Sequence, residues 1–157
     1  MTNKSKISIF ICYNHIDEYF KNKLNEIIGD KFTINSSPQR YDIKNDFNRY
    51  IEELSKENTG DRNIFIVLMG PDTYKSKNVN WEIDYALHHD ACMLGLCLPT
   101  NDDYLKKNIN TSKMPRQFVN NLLAGYISYF DWTDEYDNLA NYIKFSCNRK
   151  NHCHALI

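Results

Sequence analysis

The sequence predicts an α/β fold: a doubly wound sheet of about five mostly parallel strands with helices between them. Three runs, Lys6–Cys12, Ile64–Met69 and residues 92–98, carry apolar side chains on both strand faces, which is typical of central strands in a parallel sheet. Segments with the apolar period of a helix separate these runs. That alternation is the pattern of βαβ units, so we expect one compact α/β domain.

The first half of the chain supplies two of the connecting helices. Asn14 is a suitable N-cap for a helix after the first strand. Its predicted apolar stripe consists of Ile16, Tyr19, Phe20, Leu24, Ile27 and Ile28. Residues 32–34 form a short strand near an edge of the sheet. A second helical stripe is formed by Ile43, Phe47, Tyr50, Ile51 and Leu54.

The second half continues the alternation. A helix is expected from about Val79, and the polar stretch Pro99–Pro115 is long enough to be a functional loop. A short helix then ends at Gly125. Tyr126–Phe130 is the last strand, and Thr133 caps the last helix. The simplest topology is flavodoxin-like, in which ligands bind beyond the carboxyl ends of the strands.

Composition excludes several classes of protein. The chain has 157 residues, 42% hydrophobic and 25% charged, with a net charge of −1. These values are ordinary for a globular domain and give no reason to expect nucleic acid or membrane partners. No apolar stretch could span a bilayer, and the five cysteines are widely spaced. We expect a cytoplasmic, reduced protein with one domain over residues 1–147 and a mobile tail over 148–157.

Glu82 is the most informative single residue. Val79, Ile83, Ala86 and Leu87 form the buried stripe of the predicted helix, and Glu82 borders that stripe. It is expected in the first turn or just beyond, beside the carboxyl end of the preceding strand. Two interpretations are open: a solvated acid favoured by the helix dipole, or a carboxylate directed into the ligand crevice.

Several other chemistries of this architecture have no matching motif. The segment "CYNHID" after the first strand has no acidic pair for phosphate acceptance and no Ser/Thr-rich loop for a flavin phosphate. A glycine-rich dinucleotide turn and a P-loop are also missing from the sequence. The terminal "CNRKNHCHALI" matches no standard zinc spacing, so no metal is expected.

The residues themselves resemble a known family. "ISIFICYNHID" resembles the opening element of TIR and TIR-like domains. "RNIFIVLMGPDTYKSKNVNWEIDYALHHDACMLGLCLP" resembles the centre of the bacterial TIR-like branch that includes the ThsB-type proteins of the Thoeris anti-phage defence system. The resemblance covers residues 6–98, and its central block is the more specific part.

The resemblance implies an activity. TIR enzymes cleave the bond between nicotinamide and ribose in NAD⁺, and the position of their catalytic glutamate falls on Glu82. ThsB-type proteins respond to phage infection by making a cyclic or otherwise modified ADP-ribose, which activates a separate effector protein. The resemblance therefore implies NAD⁺ as substrate, no prosthetic group, a phage-derived trigger, self-association, and an effector reached through a diffusible nucleotide.

Further site residues are expected in the loops around the crevice. The predicted substrate contacts are Tyr13, Asn14, His15, Asp46, Ser76, Asn78 and Trp81. The predicted diphosphate contacts are Arg40, Lys75, Lys77 and Arg116. Asn14 and Ser76 are equally residues that cap helices. Relatives often have Trp four residues before the glutamate; here that position is Asn78, and the indole is at Trp81.

Two other functions stay open at this point. Asn78 in place of Trp is compatible with a TIR-like module that only binds partners or assembles. The other is an N-glycosidic enzyme of similar architecture, such as a nucleoside deoxyribosyltransferase. A comparison of nucleosides with NAD⁺ as substrates separates the two enzymes.

Overall fold

The computed structural model describes residues 7–36, 63–150 and 155–156. Within them, five strands form one sheet in which all neighbouring strands are parallel. The strands are β1 (Ser8–Cys12), β2 (Thr33–Ser36), β3 (Asn63–Met69), β4 (Cys92–Cys97) and β5 (Ser128–Asp131). Their spatial order is β2-β1-β3-β4-β5. This is the flavodoxin-like order, so the predicted fold class is confirmed.

Helices cover both faces of the sheet. The described α-helices are α1 (Glu18–Ile28), α2 (Lys77–His88), α3 (Arg116–Leu123) and α4 (Tyr136–Lys150). α1 and α4 pack on one face, and α2 and α3 pack on the other. No helix among the described residues is long and apolar enough to cross a membrane. The helix predicted from Ile43 to Leu54 lies outside the described residues.

Strand side chains alternate between two apolar layers. Toward α2 and α3 point Phe10, Cys12, Phe65, Val67 and Met69. Toward α1 and α4 point Ile9, Ile11, Ile64, Ile66 and Leu68. Because β3 is buried on both faces, its sequence shows a continuous apolar run with no alternation, as expected for a central parallel strand.

The start of α1 differs from the prediction. Residues His15–Asp17 form a 3₁₀ turn, and α1 begins only at Glu18. Ile16 and Tyr19, predicted to be on the buried stripe, are 56% and 69% exposed. The 3₁₀ turn has three residues per turn, so the apolar period assumed from Ile16 is out of phase with the α-helix that follows.

The C-terminal segment 148–157 is partly described. α4 continues to Lys150, so the first residues of the predicted tail are helical. Farther on, the Leu156 backbone N donates to Asn121 Oδ1 at 2.7 Å, and Asn121 Nδ2 donates to the Leu156 carbonyl oxygen at 3.0 Å. Leu156 is thereby attached to α3, and the mobility of the segment stays a prediction.

Candidate functional site

The loops after β1 and β3 are joined at the carboxyl edge of the sheet. Asn14 Oδ1 accepts a hydrogen bond from the Ile16 backbone N at 3.3 Å, and Asn14 Nδ2 donates to the Asp72 carbonyl oxygen at 3.3 Å. Asn14 therefore caps the 3₁₀ turn, as its residue type predicts, and also connects the two loops. Its contact with substrate stays a prediction.

Thr73 and Asn101 hold the loop after β3. The Gly70 backbone N donates to Thr73 Oγ1 at 2.8 Å, and the Thr73 hydroxyl donates to the Leu68 carbonyl oxygen at 3.1 Å. From the loop after β4, Asn101 Nδ2 donates to the carbonyl oxygens of Met69 and Gly70 at 3.1 and 3.3 Å. Three neighbouring strand ends, those of β1, β3 and β4, are thus tied into one rim.

Asp17 is a buried carboxylate at this rim that the sequence analysis did not single out. A Cβ at Gly70 would overlap with its carboxylate, so only glycine allows this approach. Burial raises the pKa of Asp17, and the charge of Asp72 raises it further, while Thr73 and His15 act in the opposite direction. The available signal was its position in the loop region after β1, at the end of the 3₁₀ turn. An acid near the start of a helix is, however, usually a dipole effect.

The raised pKa of Asp17 predicts a pH dependence of folding. An acid whose pKa is higher in the folded state than in the unfolded state binds its proton more tightly when the protein is folded. Its contribution to stability therefore falls as the pH rises above 3.8, the ordinary pKa of an aspartate. We expect Asp17→Asn to raise the melting temperature at pH 7. The gain should shrink as the pH is lowered toward 4, in melting curves recorded across that range.

Asp72→Asn is the matched control for this prediction. Asp72 is half-exposed and raises the pKa of Asp17 through its charge. Its removal should lower that pKa and weaken the pH dependence without abolishing it. Equal pH profiles for the wild type and Asp17→Asn would show that the Asp17 carboxyl does not titrate with folding.

Helix α2 places Glu82 in the interior. Ser76 Oγ accepts from the Val79 backbone N at 3.3 Å, so Ser76 is the N-cap and α2 begins at Lys77. Glu82 is consequently in the second turn, one turn later than an acid favoured by the helix dipole. Its side chain is 0% exposed. The interpretation as a solvated acid is therefore wrong, because no part of the side chain is in contact with solvent. A carboxylate is rarely enclosed without a specific reason.

The Glu82 carboxylate lies close enough to the Cys12 thiol to influence its ionisation. Cys12 is the last residue of β1 and is fully buried on the face that α2 covers. Burial raises the pKa of the Cys12 thiol, and the negative charge of Glu82 raises it further. The carboxylate thus lies near the carboxyl end of β1, in a place where water is excluded and charges interact strongly.

The other predicted substrate contacts are distributed unevenly. Tyr13 is buried among the residues under α1, on the opposite sheet face from Glu82. His15 is exposed in the 3₁₀ turn, and Trp81 packs against the core under α2. Asn78 lies one helical turn before Glu82, and its Oδ1 is buried with no hydrogen-bond partner in the described structure. Asn78 and Glu82 therefore share one edge of α2.

Three of the predicted diphosphate contacts, Lys75, Lys77 and Arg116, lie within the described residues and are at the surface. Lys75 Nζ lies 3.5 Å from Asp72 Oδ1; the Lys75 side chain is largely exposed and that of Asp72 is half-exposed. Lys77 and Arg116 are the exposed first residues of α2 and α3. Arg40 and Asp46 lie outside the described residues. Across ranges 7–36, 63–150 and 155–156, no group of three or more His, Cys, Asp or Glu side chains is placed to hold a metal ion.

Comparison with known proteins adds the decisive observation. Residues 10–103, more than half of the chain, match the family described as Thoeris protein ThsB, TIR-like domain. The chain belongs to this family. The matched range of this ThsB-type TIR-like protein includes Cys12, Asp17 and Glu82. Membership of the family relates the protein to the Thoeris defence system. None of the curated proteins matches the chain.

Proposed function

We propose that this TIR-like domain cleaves the bond between nicotinamide and ribose in NAD⁺. The product is a cyclic or otherwise modified ADP-ribose that activates a separate effector during phage infection. The single observation that carries the proposal is the position of Glu82: an enclosed carboxylate on α2, beside the carboxyl end of β1. In this architecture ligands bind beyond that end of the sheet. Membership of the ThsB family supports the same reaction.

One carboxylate is sufficient for this chemistry. Ordinary glycosidases need a second carboxyl group to protonate the leaving oxygen. Nicotinamide leaves NAD⁺ as a neutral molecule, so it needs no proton. Positive charge develops on the ribose as the bond breaks, and the Glu82 carboxylate stabilises that charge or accepts a proton from the incoming nucleophile.

Enclosure of the carboxylate favours a cyclic product. Cyclisation requires that an atom of the ADP-ribose reach the ribose carbon before water does, and a site that excludes water favours that order. Because Glu82 is 0% exposed, neighbouring residues must move to admit NAD⁺. We therefore propose that activity depends on a phage-derived trigger and on self-association.

Asn78 supplies a testable substrate contact. Its buried amide oxygen has no hydrogen-bond partner in the described part of the chain, and we propose that a donor group of NAD⁺ fills this position. Asn78→Ala should raise KM for NAD⁺ by up to about tenfold, the value of one neutral hydrogen bond. Its melting temperature should be unchanged or higher, because a buried acceptor without a partner is removed.

Asn80 is the matched control on the same helix. Asn80 Nδ2 donates to the carbonyl oxygens of Tyr74 and Ser76 at 3.2 and 2.8 Å. Asn80→Ala should therefore lower the melting temperature with a smaller effect on KM. An unchanged KM in Asn78→Ala, measured in triggered lysates, contradicts the proposed contact.

Phage infection provides the test of the function itself. The wild type, Glu82→Gln and Asp84→Asn would be expressed in bacteria and infected with several phages, and the lysates analysed by mass spectrometry. Asp84→Asn is the control, because Asp84 is on α2 but does not face the enclosed site. We expect NAD⁺ to fall and an ADP-ribose derivative to appear in the wild type and Asp84→Asn only.

Other outcomes identify the alternatives. Unchanged NAD⁺ and no product in all three strains, with equal protection from phage, would favour a domain that binds partners without catalysis. Turnover of added nucleosides in place of NAD⁺ would favour a deoxyribosyltransferase-like reaction. Both outcomes overturn NAD⁺ cleavage as the function.

A further inference from the structure

Two cysteines meet at the amino-terminal end of the sheet. Cys92 is the first residue of β4, and Cys147 lies on α4 near its C-terminal end. Their Sγ atoms are 2.7 Å apart, although 55 residues separate them in the chain. Neither thiol has a role in the proposed NAD⁺ chemistry, since Glu82 is associated with the opposite, carboxyl end of the sheet.

We propose that Cys92 and Cys147 are an oxidation site and form a reversible disulfide bond. A disulfide has sulfurs about 2.05 Å apart, so an approach of about 0.7 Å from the observed 2.7 Å is sufficient. Disulfides in reducing compartments are usually transient and redox-sensing. The site would therefore respond to a peroxide or to another oxidant of thiols.

The chemistry balances with hydrogen peroxide as the oxidant. The half-buried Cys147 meets peroxide first. Its thiol loses a proton, and the thiolate attacks one oxygen and breaks the O–O bond; the hydroxide that leaves takes up that proton as water, giving a sulfenic acid. The buried Cys92 then loses its proton and attacks that sulfur as a thiolate. The S–O bond breaks, and the hydroxide that leaves takes up the Cys92 proton as the second water. In total, two thiols and one peroxide give one disulfide and two waters. A thiol reductant reverses the reaction by exchange.

The same region contains the contacts that the disulfide would reinforce. Arg149 Nε donates to the Gly125 carbonyl oxygen at 2.6 Å, just before β5. The buried Tyr126 hydroxyl donates to the Ala91 carbonyl oxygen at 2.6 Å, just before Cys92. The last turns of α4 are therefore already docked here, and a covalent bond would fix the point from which the C-terminal residues leave the helix.

Peptide mapping of the full chain tests the proposal. The reduced protein would be treated with hydrogen peroxide, blocked with N-ethylmaleimide, digested without reductant and analysed by mass spectrometry. We expect the peptide with Cys92 joined to the peptide with Cys147, and the link lost after dithiothreitol. Oxidation should also raise the melting temperature by about 5 °C or more, since the bond closes a long loop.

Cysteine variants separate this link from others. Cys153→Ser is the control and should retain both the link and the rise in melting temperature. Cys147→Ser should lose both, and Cys92→Ala provides the reciprocal test from the buried side. A link between Cys147 and Cys153, oxidation to sulfinic acid without a link, or no reaction would each overturn the proposal. Because the link is measured on the protein itself, the result does not depend on NAD⁺ cleavage.

Discussion

Glu82→Gln is expected to lower the rate of NAD⁺ cleavage by about 10²–10⁴-fold, the usual contribution of a positioned acid–base or charge-stabilising group. Glutamine has the shape of glutamate but lacks its charge, so it cannot stabilise positive charge on the ribose. Because Glu82 is 0% exposed, loss of the charge also removes a desolvation penalty. The melting temperature of the variant should be equal to or above that of the wild type.

Glu82→Asp separates position from charge. Aspartate retains the carboxylate but withdraws it by one methylene, and a displacement of about 1 Å in a catalytic group can cost about 10²-fold. We expect a rate between those of the wild type and Glu82→Gln. The rate of NAD⁺ loss in triggered lysates that contain equal amounts of each variant, together with melting curves of the purified variants, measures both effects. A folded Glu82→Gln protein that cleaves NAD⁺ at the wild-type rate would contradict the proposed role.

Gly95→Ala is expected to destabilise the fold by about 1–3 kcal/mol, the range for overpacked cores. Gly95 lies in the middle of β4, and a Cβ there would be 2.5 Å from Phe118 Cζ and 2.8 Å from Tyr129 Cδ1. Phe118 is fully buried and packs edge-on against Tyr129, with ring centroids 5.7 Å apart. The rings therefore have little room to withdraw, and equilibrium unfolding in urea should show the loss.

A second substitution tests this cause. Phe118→Leu removes the ring edge that the new Cβ would strike. In the Gly95→Ala background it should therefore be less damaging than in the wild type. The interaction free energy from the double-mutant cycle should be about 0.5–3 kcal/mol in the favourable direction. Strictly additive effects would show that Gly95→Ala acts through the strand backbone and not through contact with Phe118.

The sheet could be predicted from sequence because its central strands are covered on both faces. β3 and β4 are continuous apolar runs, and each begins within one residue of the predicted position. Gly125 ends α3 with φ of 85°, a conformation that favours glycine. The error at Ile16 arose because a 3₁₀ turn and an α-helix differ in period. The residue types in that turn do not reveal which period applies.

The candidate site was less predictable than the fold. Glu82 was identifiable, because it borders an apolar helical stripe. Its enclosure was not identifiable, because it depends on how α2 sits over β1, which brings Glu82 close enough to Cys12 for its charge to raise the pKa of that thiol. Tyr13 follows Cys12 directly, so strand alternation directs it to the other face. Asp17 is buried because Gly70 has no side chain, and a contact across that sequence distance leaves no local pattern.

The central position of β3 determines when the enclosed carboxylate can form during synthesis. β1 pairs with β3 along its whole length, from Ser8 with Asn63 to Cys12 with Val67. The first strand is therefore complete on the ribosome long before its inner partner exists. Among the described residues, β1 can pair only with the short edge strand β2 until β3 emerges. Pairing between segments so distant in sequence is also slow. A nascent chain that stops before α2 contains Cys12 but not Glu82, so the site is completed late in biogenesis.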